Sequence, residues 1–273
     1  MTEPTRRTSA PRTPWLWRVM MWLNRGLVAL TGRLEVTGSF PDELRGRPVL
    51  LAANHIGVFD AFVLLEACRR VDAPPRFMIA AGIMDAPIAG WGLRTAGHLR
   101  VERRGNNVLA GFHSAVTALK GGNAAVLVYP EGRISHDPGL WPERGKSGVA
   151  RLALAADVPV IPVSQWGAHE AAYWGTETVS GWSDFQPVAT SWLRAVRQHP
   201  TFRVKFGHPV DLTGLTGTRP GDAIRARDRI MRSITADLRT LRRSEPDRPR
   251  FLDPTRPTDS SSPWRPEPGE DDV

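Results

Sequence analysis

The sequence predicts an α/β fold: a single domain with a mostly parallel or mixed central sheet flanked by helices. Two observations carry that prediction. Apolar runs at 48–53, 76–80, 124–129 and 158–163 have the length and bulk of buried strands. Helical patterns alternate with them, and such alternation puts helices on both faces of a sheet. A chain of 273 residues with 41% hydrophobic content is long enough for one large core.

In order along the chain, residues 1–14 are polar, contain Pro4, Pro11 and Pro14, and are expected to be disordered. Residues 15–31 follow as an amphipathic helix. Its apolar content is interrupted by Arg18 and Arg25, so it is too short and too charged for the ~20 apolar residues of a bilayer span. Trp15, Trp17 and Trp22 with the two arginines suit a membrane interface. A terminal helix packed on the domain is the alternative. No small-residue cleavage site marks it as a signal peptide.

The main domain is expected over 32–243. Arg33–Thr37 alternates as an edge strand closed by Gly38. The strand at 48–53 runs into Asn54-His55-Ile56-Gly57-Val58-Phe59-Asp60 and then an apolar helix ending at Arg69-Arg70. Another strand spans 76–80, a short helical piece 87–94, and a strand and arginine-rich loop 97–104. Asn107 is placed to cap a helix whose inner face is Val108, Leu109, Phe112, Ala115, Val116 and Leu119, closed by Gly121-Gly122. The strand at 124–129 meets Pro130-Glu131-Gly132-Arg133, where proline and glycine force a tight turn. Arg144 to Gly148 opens a helix with Val149, Leu152, Ala153 and Ala156 inward. Strands at 158–163 and 202–206 and a helix at 222–243 complete the domain. The stripe of that helix is Ile224, Met231, Ile234, Leu238 and Leu241. Residues 164–200, rich in Trp, Gly and Ser, give no readable pattern. Residues 244–273 form a Pro-rich acidic tail, expected to be disordered and to be removable after Arg243 with little effect.

The whole chain carries +8, and the tail is net acidic by four, so residues 1–243 carry +12. A body so basic expects acidic partners: phosphorylated substrates, anionic lipid or nucleic acid. Its arginines suit bidentate phosphate contacts, although a codon bias would enrich arginine equally. The one cysteine, Cys68, excludes a disulfide framework or a Cys-based metal site within one chain, a usage that fits the cytoplasm.

Three loops, after strands ending near 54, 101 and 129, fall where α/β sheets bind ligands. In the first, His55 leaves a strand and Asp60 opens a helix, where a carboxylate caps free amides. So short a loop folds back, and the carboxylate then holds one imidazole tautomer and supports the imidazolium. Alone, a His and an Asp five apart are more often structural than catalytic; the other two loops change that balance.

Together these stretches resemble the lysophosphatidic acid acyltransferase (1-acylglycerol-3-phosphate O-acyltransferase) family within the glycerolipid acyltransferases, over roughly 33–210. Asn54-His55 to Asp60 matches the Asn-His-x4-Asp block, and Arg103 the arginine ending the second block. Tyr129-Pro130-Glu131-Gly132 matches Phe-Pro-Glu-Gly, and Lys146-x-Gly148 with Val160-Ile161-Pro162-Val163 matches the stretch after it. The resemblance implies a glycerolipid-acyltransferase-like fold, His55 as general base and Asp60 as its orienting partner. It implies a substrate site drawn from Asn54, Arg103, Glu131, Gly132, Arg133 and Lys146. Arg103 would contact phosphate, Glu131 would fix an arginine or accept a hydroxyl hydrogen bond, and Gly132 would shape the loop beside the acyl group. Two positions depart from the pattern. Gly57 stands where serine is common, and Arg133-Ile134 where Thr-Arg is common, with Arg100, Arg104 or Arg144 able to compensate for the displaced guanidinium.

The implied reaction moves a fatty acyl group from acyl-CoA or acyl-carrier protein to the hydroxyl of 1-acylglycerol 3-phosphate, making phosphatidic acid for phospholipid synthesis. No metal or resident cofactor is implied. Another lysophospholipid, glycerol 3-phosphate or a glycolipid is the alternative acceptor. Oligomeric state is not implied. The chain is expected as a peripheral protein on the cytoplasmic face of the cell membrane, bound to anionic lipid. Gly145-Lys146-Ser147 is not a nucleotide-binding loop, since the required first glycine position is Leu140. No Gly-x-Ser-x-Gly supports a serine hydrolase, and no RNA- or DNA-binding signature accompanies the charge. A non-catalytic membrane adaptor is disfavoured by the intact His55 and Asp60.

Overall fold

The computed structural model describes residues 15–101, 108–122, 125–174, 182–245 and 247–265. The expectations for 1–14, Arg103, Arg104, Asn107 and 266–273 lie outside these residues. Helix α1 (Trp15–Thr31) leads into β1 (Arg33–Gly38), β2 (Val49–Ala53) and α2 (Asp60–Arg70). Next come β3 (Pro75–Ala80), α3 (Ala81–Met84), α4 (Pro87–Thr95), β4 (Leu99–Val101), α5 (Val108–Gly121) and β5 (Ala125–Val128). Helix α6 (Gly148–Ala156), β6 (Val160–Trp166), α7 (Trp182–Gln198), β7 (Thr201–Phe206) and α8 (Asp222–Leu241) complete the chain.

The seven strands form one mixed sheet in the order β1-β7-β6-β2-β5-β3-β4. Strands β2 to β6 run parallel, while β7 is antiparallel to β6 and parallel to β1. All five parallel strands therefore end on one edge, which is where the predicted loops emerge. Strand β2 lies at the centre and is buried throughout. Its alternate side chains divide the core: Val49, Leu51 and Ala53 pack toward α1 and α2, Leu50 and Ala52 toward α5, α6 and α8.

Three helices differ from expectation. In α5, Ala115 and Leu119 are buried, but Leu109 is exposed. In α8 the buried stripe is Ala226, Ile230, Met231, Ile234 and Leu238, while Ile224 at its first turn faces out. Helix α1 is both docked and apolar on its outside. Trp17 and Val28 are buried, with Trp17 edge-on to His98, whereas Trp15, Val19, Trp22, Leu23 and Leu30 are exposed. The unread stretch 164–200 extends β6 to Trp166 and contains α7, with Pro187 inside the helix.

The tail departs most from its expectation. Residues 247–265 are not a free segment but a strap fastened to the body, with Trp264 packed against the α5–α6–α8 side of the core. The strap forms no helix or strand. It is held by Trp264 and by polar contacts to distant loops, which no hydrophobic stripe announces.

Candidate active site

The site lies at the carboxyl ends of β2, β5 and β6. Asn54, the first residue past β2, is buried and paired to β6. Its Oδ1 accepts from Gln165 N–H at 2.8 Å, and its amide donates to the Gln165 carbonyl at 3.1 Å. The Gln165 side chain returns a bond to the Asn54 carbonyl at 2.9 Å. Asn54 thus fixes where the next residue leaves the sheet, and its polar atoms are spent on β6 rather than turned to a ligand.

His55 and Asp60 meet as the short loop requires. Nδ1 of His55 donates to Asp60 Oδ2 at 2.8 Å, with the Asp60 side chain wholly buried and the imidazole 19% exposed. The same oxygen accepts the amides of Ile56 at 2.6 Å and Gly57 at 3.0 Å. Asp60 therefore reaches back to cap its own loop, whereas Phe59 occupies the N-cap of α2. With Nδ1 carrying a proton toward the carboxylate, Nε2 of the neutral ring holds the lone pair. Tyr129 stacks on the imidazole with ring centroids 3.9 Å apart.

Gly57 has a local cause. A Cβ there would lie 3.2 Å from the Cα of His169, so the turn packs too closely for serine without a shift. His169 is buried between Trp166 and Phe251. Burial, aided by the charges of Arg256 and Arg242, lowers its pKa to about 3, so the ring stays neutral.

The loop after β5 closes over the first. Glu131 accepts the His55 N–H at 2.9 Å on one oxygen and the Glu143 N–H at 2.8 Å on the other. It holds two backbone amides rather than an arginine or a substrate hydroxyl. Burial pushes its pKa up to about 8 against those two hydrogen bonds. Ser135 N–H adds a bond to the His55 carbonyl at 2.8 Å. Gly132 has φ of +72°, which favours glycine, and a Cβ would lie 3.1 Å from Lys146 Nζ, the movable end of an exposed side chain.

The remaining expected residues part company. Lys146 is exposed beside Gly132 and donates its backbone N–H to the Pro130 carbonyl at 2.8 Å. Arg133 pairs with Glu143 at 3.0 Å, and Arg100 with Asp85. Arg144 is exposed. Arg103 and Arg104, beyond β4, lie outside the described residues. Among the described residues no cluster of His, Cys, Asp or Glu is placed to hold a metal ion. Sequence reasoning passed over Gln165, Glu143, His169 and Arg256. None sits in a matched block, and only the folded chain brings them to the loop.

What the arrangement can do is remove a proton. A partly exposed imidazole, oriented by a buried carboxylate, sits beside the turn after β5.

The chain is similar to known proteins. A family described as Acyltransferase matches residues 33–166. A lyso-ornithine lipid O-acyltransferase from Pseudomonas aeruginosa is 33% identical over 52% of this chain and 51% of its own length. The chloroplastic 1-acyl-sn-glycerol-3-phosphate acyltransferase BAT2 of Brassica napus is 25% identical over 52% of this chain and 39% of its own. The mouse 1-acyl-sn-glycerol-3-phosphate acyltransferase alpha is 29% identical over 48% of this chain and 44% of its own. The chain thus spans about half the length of the curated relatives it matches, or less. The crystal structure of the Thermotoga maritima 1-acyl-sn-glycerophosphate acyltransferase PlsC superposes with a TM-score of 0.58 at 19% identity. That superposition covers 82% of this chain and 79% of the other, and it bears on the fold.

Proposed function

We propose that this chain, which belongs to the acyltransferase family through residues 33–166, transfers a fatty acyl group from an acyl thioester to a lyso-lipid hydroxyl. One observation carries the reading: the His55–Asp60 pair, 2.8 Å apart, with the carboxylate buried and the ring open on one side. In this reading Nε2 of His55 takes the acceptor's hydroxyl proton as the oxygen attacks the thioester carbonyl. Asp60 steadies the imidazolium that forms. Donors near the Pro130-Glu131-Gly132 loop, other than the Gly132 N–H that the Tyr129 carbonyl takes, are assigned to the oxyanion in this reading. Collapse breaks the C–S bond, and the imidazolium returns the proton to the leaving thiolate. The balance closes without a covalent acyl-enzyme or a metal.

The acceptor we favour is 1-acylglycerol 3-phosphate, the donor acyl-CoA or acyl-carrier protein, and the product phosphatidic acid. Two of the relatives carry that acceptor in their names. A lyso-ornithine lipid acceptor is the second reading. It is favoured by the relative of that name and by Arg133, whose guanidinium is engaged by Glu143. The exposed apolar face of α1, with Arg18 and Arg25 on the same helix, supports peripheral binding to an anionic membrane surface, the cytoplasmic face in this proposal. Among the described residues no helix is long and apolar enough to cross a membrane.

The test is to incubate the purified chain with labelled acyl-CoA or acyl-carrier protein and a panel of lyso-lipids. The panel holds lysophosphatidate, lyso-ornithine lipid, other lysophospholipids, glycerol 3-phosphate and a glycolipid. Phosphatidic acid as the dominant product is expected. Acylated ornithine lipid would move the assignment to the second reading, and no ester from any acceptor would overturn both.

A further inference from the structure

The family match ends at residue 166, but the contacts that shape the candidate site do not. The strap 247–265 crosses the loops after β2, β5 and β6 and binds each. Asp253 accepts the Trp174 N–H at 2.7 Å. Asp259 pairs with His136 at 2.6 Å. Ser262 binds Asp137 at 2.8 Å through its N–H and the Pro142 carbonyl at 2.5 Å through its hydroxyl. Trp264 donates to the Glu143 carbonyl at 3.1 Å. At the centre of this run stands Arg256. Its Nη1 donates to the Ser135 carbonyl at 2.7 Å and its Nη2 to the Ile56 carbonyl. The guanidinium lies over the Trp174 ring, 5.6 Å from its centroid.

We propose that Arg256 is a positioning residue of the acyl-transfer site, clamping the His55 loop to the loop after β5. This rests on the acyl-transfer reading above. The geometry is specific. Ile56 follows His55, and Ser135 already donates its N–H to the His55 carbonyl. Both carbonyls that Arg256 takes therefore flank the backbone that aims the imidazole. A planar guanidinium fork can reach two acceptors at once, which a lysine ammonium on a flexible stem does less well. Burial holds its pKa below the usual arginine value, and the nearby carboxylates of Asp253 and Asp60 offset part of that cost. The clamp acts through His55 and needs no contact with substrate. Its loss should therefore misplace the base, and slow the chemical step, more than it weakens binding.

The experiment compares the full chain with Arg256→Ala, Arg256→Lys and, as a control on the exposed end of the strap, Arg265→Ala. Hydrogen exchange by mass spectrometry follows the peptides over 54–60 and 131–137. Steady-state kinetics with the acceptor identified above gives kcat and KM. In Arg256→Ala the amides of Ile56, Gly57 and Ser135 should exchange about tenfold or more faster, with β2 and α2 unchanged. Its kcat should fall about 10²-fold, with both KM values within about threefold. Arg256→Lys should recover only part of kcat, and Arg265→Ala should match the wild type. Should the alanine variant fail to fold, the lysine variant carries both readouts, with kcat expected about fivefold down or more. Wild-type exchange and kcat in the folded Arg256 variants would overturn the clamp. Absence of acyl transfer in the wild type would instead overturn the functional reading, leaving exchange alone to decide the clamp.

Discussion

The loop 54–60 and the strap 247–265 meet around the same backbone but are built by opposite means. The loop shapes itself: within six residues Asp60 collects the His55 imidazole and two amides. The strap borrows its shape, through bonds to Trp174, His136, Ser135 and Ile56, which lie 79, 123, 121 and 200 positions away. A self-contained loop carries its chemistry in its own spacing. A strap carries its role only in the folded chain.

The contrast breaks most sharply at Asp60. Asp60→Asn should cut turnover roughly 10³-fold in a folded protein, because an amide supports the wrong tautomer and no longer balances the imidazolium. Turnover near wild type would make the loop's hydrogen bonds merely structural. Removing residues 246–273 should come next. The expected kcat falls by about 10²-fold or more, since Arg256 is lost with the strap, and the melting temperature by about 5 °C. Unchanged values on both counts would mean the strap is passive.

Glu131, which joins the two β-loops, gives a smaller effect. Glu131→Gln should cost about 1–3 kcal/mol in denaturant unfolding, since the amide NH2 cannot accept the second buried N–H as the acid's second oxygen does. The pH dependence has a definite sign. With its folded pKa raised to about 8, Glu131 contributes stability that is full below its ordinary value and lost as pH rises through 8. The glutamine variant should therefore lose less stability than the wild type between pH 6 and 9. His169 works in the other direction. Its folded pKa of about 3 gives stability present above 6.5 and lost as pH falls toward 3. His98, buried and accepting the Phe77 N–H, is lowered to about 4 and adds to the same acid limb. His169→Phe should flatten that limb by about 2 kcal/mol between pH 7 and 5. An unchanged slope would place the acid sensitivity elsewhere.

The smallest expected effect on chemistry is at α1. Trp15→Ser with Trp22→Ser should weaken co-sedimentation with anionic vesicles severalfold while sparing turnover on a short-chain soluble acceptor. Equal vesicle binding would make this helix a packing element alone.

What was legible in the sequence follows the same division. The strands announced themselves because β2, β5 and β6 are buried on both faces and read as continuous apolar runs. His55 and Asp60 were legible because five residues of loop suffice to bring them together. Glu131 was visible as a residue but not as a tie between two amides, since its partners are backbone atoms without sequence identity. Helix α7 was hidden by Pro187 and by a face that mixes Trp192 and Ala195 with polar groups. Ile224 and Leu109 fit their stripes by period yet sit at helix ends beyond the reach of the core. Arg256 lies among prolines and acids, where composition argues for disorder, and its two acceptors are carbonyls of distant residues.

The central claim is that His55 is the base of an acyl transfer. Its most direct test measures ester formation from a labelled acyl thioester and the identified acceptor by the full chain and by His55→Ala, both checked for folding by melting temperature. A loss of about 10² to 10⁴-fold in kcat, with the melting temperature held, is the predicted result. Ester formed by the folded alanine variant at the wild-type rate would contradict it.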